Sequence, residues 1–280
     1  MSSRSANTIK KKYGLELPRS AKLRDEFWYV TKGARRGGLA SYKKQGGRIG
    51  DPEIRLQKWR GWWEKIGRFK PHPIINVTHP VHKPKRSTEL AEFVGIMMGD
   101  GGITDYQLRI TLNRIDDKAY SEFVVKLIKK LFKLVPSIIH KPKDSVLDVT
   151  ISRRELVRFC NEELGLVIGN KIRQQIDIPD WVQSKVQFQI ACVRGLIDTD
   201  GSVFTHRYKV NGKWYAYKKL AFTSLSKPLA HSVHAILKAL GLNPRLAQAK
   251  DVRLDSINDM KCYFQIVGSH NPKHLRRYRE

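Results

Sequence analysis

A short apolar segment occurs twice in this chain, one hundred residues apart, and it constrains the fold more than any other feature. The first copy is Phe93-Val94-Gly95-Ile96-Met97-Met98-Gly99-Asp100-Gly101, and the second is Val193-Arg194-Gly195-Leu196-Ile197-Asp198-Thr199-Asp200-Gly201. Each has small residues four apart, Gly95 and Gly99 or Gly195 and Thr199, which share one face of a helix. A face without bulky side chains lets two helices approach closely, as small-xxx-small pairs do in membranes. If the copies pack on each other, Asp100 and Asp200 emerge side by side at the same end. A carboxylate pair in a very basic chain points to metal-assisted cleavage of nucleic acid.

Lys and Arg outnumber Asp and Glu by 53 to 26, for a net charge of +27. A field of that sign attracts polyanions and makes binding salt-dependent through counterion release. With 41% hydrophobic residues over 280 positions the chain has material for real cores, which excludes a disordered basic tail. No apolar stretch approaches membrane-spanning length, and Met1-Ser2-Ser3-Arg4 leads into no hydrophobic signal segment. No membrane partner is therefore expected, and the expected location is the cytoplasm or an organellar matrix. Cys160, Cys192 and Cys262, odd in number and set among apolar neighbours, are expected to be buried thiols in a reducing compartment.

The pattern changes near Ser87. Residues 1–87 carry 22 Lys and Arg against 6 Asp and Glu, a net of +16, leaving +11 for the rest. This part holds the glycine pairs Gly37-Gly38 and Gly46-Gly47, the aromatic run Trp59-Arg60-Gly61-Trp62-Trp63, and an exit through Pro71, Pro73, Pro80 and Pro84. It reads as short helices and loops before an extended linker, a basic extension suited to be a DNA-binding arm.

From Ser87 the order becomes regular. Ser87-Thr88-Glu89-Leu90 opens a helix with a hydroxyl cap and an early acid. Leu108, Ile110 and Leu112 alternate with Gln107, Arg109, Thr111 and Asn113, the mark of a half-buried strand. Asp116-Asp117 begins a helix through Tyr120, Phe123, Val124, Leu127 and Leu131; strands at Ile138-Ile139 and Leu147–Ile151 and a helix through Glu155–Phe159 follow. The second half replays this order. A hairpin turns at Asn211-Gly212, a pair that favours type I′ geometry. A helix begins at Pro228 and closes at Gly241, and strands are expected near Arg245–Ala249 and Tyr263–Val267. The expected fold is α+β, two similar units of helix-strand-strand-helix-strand-strand with a closing helix.

The two motifs resemble the paired signature helices of the LAGLIDADG homing endonucleases in their single-chain form, over the region from about Ser87 to the end of the chain. The third-position glycine, eighth-position acid and ninth-position glycine are present in both copies, while Met98 departs where Asp198 keeps the first acid. The resemblance implies a pseudo-twofold monomer of two αββαββα units, residues 88–185 and 186–280, whose antiparallel sheets form a saddle on double-stranded DNA. It implies a cut through both strands of a long specific site with short 3′ overhangs. Hard oxygen ligands suit Mg²⁺, with Mn²⁺ as a substitute, and Asp100 and Asp200 are the expected metal ligands. By the resemblance, the carbonyls of Gly99 and Thr199 assist. The resemblance also places a basic residue near each metal centre, and Gly169-Asn170-Lys171 and Asn271-Pro272-Lys273 supply Lys171 and Lys273 as catalytic candidates.

Gln107, Arg109, Thr111 and Asn113 in one half, and Tyr217, Lys219 and Thr223 in the other, form the candidate DNA-reading face. Arg, Gln and Asn can make bidentate contacts to purines in the major groove. Among the histidines, His72, His79 and His82 lie in the linker region, His231 and His234 on a helix, and His270 and His274 flank Lys273. No cysteine or acid completes a zinc set with them. The chain starts Met-Ser and does not end in the His-Asn of a splicing domain, so a free-standing, intron-encoded enzyme is expected. Two other functions share this fold and charge: a DNA-binding regulator without nuclease activity, and an RNA maturase whose partner is the host intron RNA.

Overall fold

The computed structural model describes residues 33–44, 52–69, 80–140 and 145–280. The chain divides into two compact units, Met1–Val77 and Thr78–Glu280. In the first, α1 (Ala34–Lys44) and α2 (Pro52–Lys65) are followed by a 3-10 turn at Gly67–Phe69. Gly37-Gly38 thus sits inside a helix. The Trp59 and Trp63 rings stack on α2 with centroids 5.7 Å apart. Gly46-Gly47, Pro71, Pro73, His72 and His79 lie outside the described residues.

The second unit begins at Thr78, ahead of the Ser87 boundary expected from composition. The reason is local. Val81 packs against the core, the His82 ring donates from Nδ1 to the Leu131 carbonyl at 2.7 Å, and Lys83 pairs with Glu163 at 2.7 Å. The end of the proline-rich stretch is therefore part of the folded body.

Helix α3 (Thr88–Met98) begins at Ser87, whose Oγ accepts the Leu90 amide at 3.2 Å. Every residue from Leu90 to Met98 is buried. β1 (Gly101–Thr104) and β2 (Gln107–Asn113) follow, then α4 (Lys118–Phe132), β3 (Ser137–His140) and β4 (Val146–Ile151). A short α5 (Arg154–Arg158) runs into a π turn at Phe159–Glu163, and α6 (Asp180–Gln183) leads to the second signature helix, α7 (Val186–Asp200). The second half continues with β5 (Gly201–Val210), β6 (Lys213–Thr223), α8 (Lys227–Ala239), β7 (Arg245–Ala247), β8 (Asp251–Leu254), α9 (Ile257–Ile266) and α10 (Pro272–Arg279).

Both sheets are antiparallel and share one topology, β1-β2-β4-β3 and β5-β6-β8-β7. This is an α+β fold made of a repeated unit. One strand expectation fails. Tyr263–Val267 is helical and the last strand is Asp251–Leu254. Ser256 caps α9 through the Asp259 amide at 3.0 Å, and Met260, Tyr263 and Val267 are buried at helical spacing. The same change of element moves a thiol. Cys160 and Cys192 are buried as expected, but Cys262 falls on the outer side of α9 and is exposed. The left-handed residues Gln248 and Ala249 turn the chain between β7 and β8.

The helices α3 and α7 pack at their glycines. A Cβ on Gly95 would strike the Cys192 carbonyl, one on Gly195 the Glu92 carbonyl, and one on Gly99 the Thr199 hydroxyl. Backbone thus lies against backbone, the close approach that small residues permit.

Candidate metal and nucleic-acid site

The packed helix pair delivers both acids to one end. The position a Gly99 side chain would occupy lies 3.4 Å from Asp200 Oδ2. Asp100 is half-buried and Asp200 reaches the surface beside a cleft lined by Gly99, Lys171, Asp200, Thr223 and Leu225. Among the described residues neither carboxylate accepts a hydrogen bond. Burial, then repulsion from Asp200 and Asp117, pushes the Asp100 carboxyl up to about 7. Burial also raises Asp200, against the pull of Lys171. Two acids held together without donors have a demand for a cation that the protein leaves open.

The two lysines are placed differently. The Lys171 ammonium donates to the C-terminal carbonyls of α3, to Met98 at 2.9 Å and to Gly99 at closer range. Burial lowers its pKa, opposed by Asp200 and Asp100. Lys273 instead donates to Asp117 Oδ1 at 2.7 Å. Asp117 also accepts from Asn271 Nδ2 at 3.0 Å. That carboxylate was legible only as a helix start; it caps no amide of its own helix and turns toward the other half of the fold. The residue at the start of α8, Ser226, makes the matching crossing by donating to the Ile176 carbonyl at 2.5 Å. Each lysine loop therefore rests on the opposite half.

A second group of polar residues joins Glu92, which the sequence reading passed over, to Asp198 and His270, which it named separately. Glu92 is 3% exposed inside the apolar run of α3, and accepts from His270 Nδ1 at 2.5 Å and from Arg194 Nη1 at 3.2 Å. Asp198, 1% exposed, accepts from Ser269 Oγ at 2.5 Å and from the His270 amide at 2.7 Å. Asn271 Nδ2 donates to the Asp198 carbonyl at 2.9 Å. These bonds pin the loop that carries Lys273 to α7. The one available signal was an acid in the middle of an apolar helix run; its partners lie more than one hundred residues away. His274 beneath the loop is buried, and burial followed by Lys273 lowers its pKa to about 4.

Thr199 Oγ1 donates back to the Gly195 carbonyl at 2.9 Å, so its side chain is occupied within its own helix. The candidate reading residues of the first half lie on the solvent side of β2, where the pattern alternates with buried Leu108, Ile110 and Leu112. Gln107 donates to Ser152 at 3.0 Å, Arg109 to Gln107 at 3.3 Å, and Thr111 to Asp148 at 2.8 Å. Asn113 Oδ1 accepts the Ile115 and Asp116 amides and so shapes the turn into α4. In the second half, Thr223 donates to Asp251 at 2.8 Å, repeating the Thr111–Asp148 pair, and Lys219 is tied to Asp255 at 2.9 Å. Tyr217 lies in an aromatic cluster on the same face.

Residues 187–277 match the family model described as a LAGLIDADG-like domain. The matched stretch lies in the second half of the chain and includes the second motif, so the likeness to LAGLIDADG-like domains is carried there. The small subunit of replication factor C from Methanocaldococcus jannaschii is 28% identical over 220 residues, 77% of this chain but 11% of that protein. The chain therefore spans about a tenth of the length of that curated relative. Among solved structures, the N-terminal LAGLIDADG domain of WhiA is 18% identical with a TM-score of 0.44, covering 66% of this chain and 84% of that one. I-DmoI in complex with DNA and Mn is 17% identical with a TM-score of 0.45, covering 65% and 96%. The I-LtrWI LAGLIDADG homing endonuclease bound to target DNA is 13% identical with a TM-score of 0.45, covering 68% and 87%.

Proposed function

We propose that this chain is a site-specific endonuclease that hydrolyses both strands of duplex DNA with a divalent metal, Mg²⁺ or Mn²⁺. The observation that carries the reading is the pair Asp100 and Asp200, brought to one end of a tightly packed helix pair and left without hydrogen-bond donors among the described residues. Oxygen ligands from two carboxylates and two main-chain carbonyls match the donor set that Mg²⁺ accepts, with water and phosphate oxygens completing it. Asp100, Asp200 and the carbonyls of Gly99 and Thr199 would hold it. A bound divalent ion would supply charge at the phosphorus and a more acidic water.

The chain's own groups do the rest. The two acids, kept partly out of water, repel each other less as soon as a cation joins them, so binding favours their ionised form. Lys171 and Lys273 place positive charge beside the carboxylates, where a phosphorane would develop negative charge. The solvent faces of β2 and β6 supply Gln107, Arg109, Thr111, Asn113, Tyr217, Lys219 and Thr223 toward a DNA groove. The basic segment 1–87 adds phosphate contacts.

A gel shift in Ca²⁺ beside a cleavage assay in Mg²⁺ or Mn²⁺, on a pool of randomised duplexes, tests this. Metal-dependent double-strand cuts at a recurring sequence are expected. Binding in Ca²⁺ with no cutting in either metal would overturn the nuclease and leave a DNA-binding protein of the same fold. Selective binding to a structured intron RNA would favour a maturase.

A further inference from the structure

The two hairpins that follow the signature helices differ in reach. β1 and β2 pair from Gly101↔Ile110 to Thr104↔Gln107, and β4 flanks β2 from Leu108 onward, so that hairpin is supported almost to its tip. β5 and β6 pair from Gly201↔Phe222 out to Val210↔Lys213, yet β8 supports only Leu220 to Thr223. Lys213 to Lys218 and the strand opposite leave the sheet as a free two-stranded ribbon. Its turn is Asn211-Gly212, with φ of 47° and 81°. At ~3.3 Å per residue, the free stretch is about 20 Å long.

A bare two-stranded ribbon is marginal in water, and this one carries its own stiffening. On the face continuous with Lys219 and Thr223, Tyr208 stands opposite Tyr215, and His206 opposite Tyr217. The ring centroids are 5.4 Å apart for Tyr208–Tyr215, 5.6 Å for Tyr208–Tyr217 and 5.5 Å for His206–Tyr217. The opposite face holds Arg207, Lys209 and Lys218, none in an ion pair among the described residues; Lys209 lies over the Trp214 ring at 5.8 Å. The result is a stiff, cationic ribbon with one aromatic face.

We propose that this ribbon is an arm that carries the DNA contact of the second half about six base pairs farther from the cut than the first half reaches. The inference rests on the DNA-cleaving reading above. The major groove admits a two-stranded ribbon, and one base pair occupies ~3.4 Å, so about 20 Å of ribbon spans about six pairs. The aromatic face offers tyrosine hydroxyls, ring edges and one histidine in place of the Arg and Gln side chains of β2. Its contacts add length and affinity with little base discrimination, while the cationic face serves phosphates, which position without specifying. The preferred duplex is therefore lopsided about the cut, longer on one side and poorer there in sequence information.

The test begins with the full chain in Ca²⁺ and a pool of duplexes with a randomised central segment. The selected duplex is footprinted with hydroxyl radicals, and the cut is mapped in Mg²⁺ or Mn²⁺. Protection is expected to run about six base pairs farther on one side. Removing residues 207–210 and 213–216 leaves His206↔Tyr217 closed by Asn211-Gly212, and should shorten that extra protection by about four base pairs while the cut positions stay. The double variant Arg207→Ser, Lys209→Ser keeps the strands intact, and should lower the slope of log affinity against log salt by about 0.9 for each phosphate it no longer neutralises. Equal protection on both sides, or a shortened ribbon with an unchanged footprint, overturns the arm while leaving the nuclease in place. A chain that selects no duplex and cuts none fails at the reading beneath it.

Discussion

The two halves of the second unit share topology, signature helix and hairpin turn into a helix, yet differ at matching positions around the site. Where α7 has Asp198, α3 has Met98. Where Asp117 reaches across from the start of α4 to hold Lys273, Ser226 reaches across from the start of α8 and holds only a main-chain carbonyl. Asp198 fixes the Ser269–Asn271 loop with two hydrogen bonds, so Lys273 is anchored from both sides. The Met98 side chain offers no carboxylate to anchor a loop, and Lys171 settles on the carbonyls of Met98 and Gly99. A repeated fold can therefore keep its two acids equivalent while making the groups around them unequal, because the acids sit on the shared helix pair and the lysines sit on loops.

The largest effect tests the part the halves share. Asp100→Asn and Asp200→Asn should each abolish double-strand cleavage, by at least about 10²–10³-fold, the scale of losing one preorganised electrostatic partner. Binding measured by gel shift in Ca²⁺ should persist, since the candidate reading side chains on β2 and β6 are left intact. A variant that still linearised duplex at the wild-type rate would show that its acid is outside the reaction.

The lysines test where the halves part. Lys171→Met and Lys273→Met should each slow cleavage by about 2.7–4 kcal/mol of transition-state stabilisation. Lys273→Met should also lower the melting temperature more than Lys171→Met does, because it breaks a direct ion pair with the buried Asp117, whereas Lys171 donates its hydrogen bonds only to carbonyls. Equal melting temperatures for the two variants would break the comparison at this point.

A third measurement compares Asp198 with Met98 directly. Asp198→Ala leaves the His270 amide without an acceptor and the Ser269 hydroxyl with only the Asn271 carbonyl, at a cost of about 1–3 kcal/mol. Met98→Leu should cost under about 1.5 kcal/mol, as a swap of similar volume does. Denaturant midpoints that fell equally would deny Asp198 its anchoring role.

The sequence exposed much of this fold and less of its site. Ser87, Gly95 and Gly195 declared the helix pair, and the alternation from Gln107 to Asn113 declared β2, because these patterns depend on neighbours within one turn or one strand. Tyr263–Val267 misled because a short apolar run rich in aromatic and branched residues fits strand and helix alike; its capping serine lies seven residues upstream. The Glu92–His270 and Asp117–Lys273 contacts join residues more than one hundred and fifty positions apart. Nothing local marks such pairs, so only the folded chain reveals that the two lysines are unequal.

The smallest effect separates the halves by pH. Burial raises Asp198 to about 7, opposed by the Ser269 hydroxyl and the His270 amide, and raises Asp100 to about 7 as well. Between the unfolded carboxyl value near ~3.9 and about 7, the folded chain keeps protons that the unfolded chain has lost. Stability of the metal-free protein must then fall as pH rises through that window. Met98 contributes nothing to this slope, so the second half supplies the share that lies away from the paired acids. Asp198→Asn should flatten the dependence of melting temperature on pH between 5 and 8, because the amide stays neutral throughout. Met98→Leu should leave the slope as it is. Thermal melts of the three proteins across that range, in chelator, decide the matter: parallel curves for wild type and Asp198→Asn would mean that Asp198 does not titrate there, and the difference between the halves would reduce to hydrogen bonding alone.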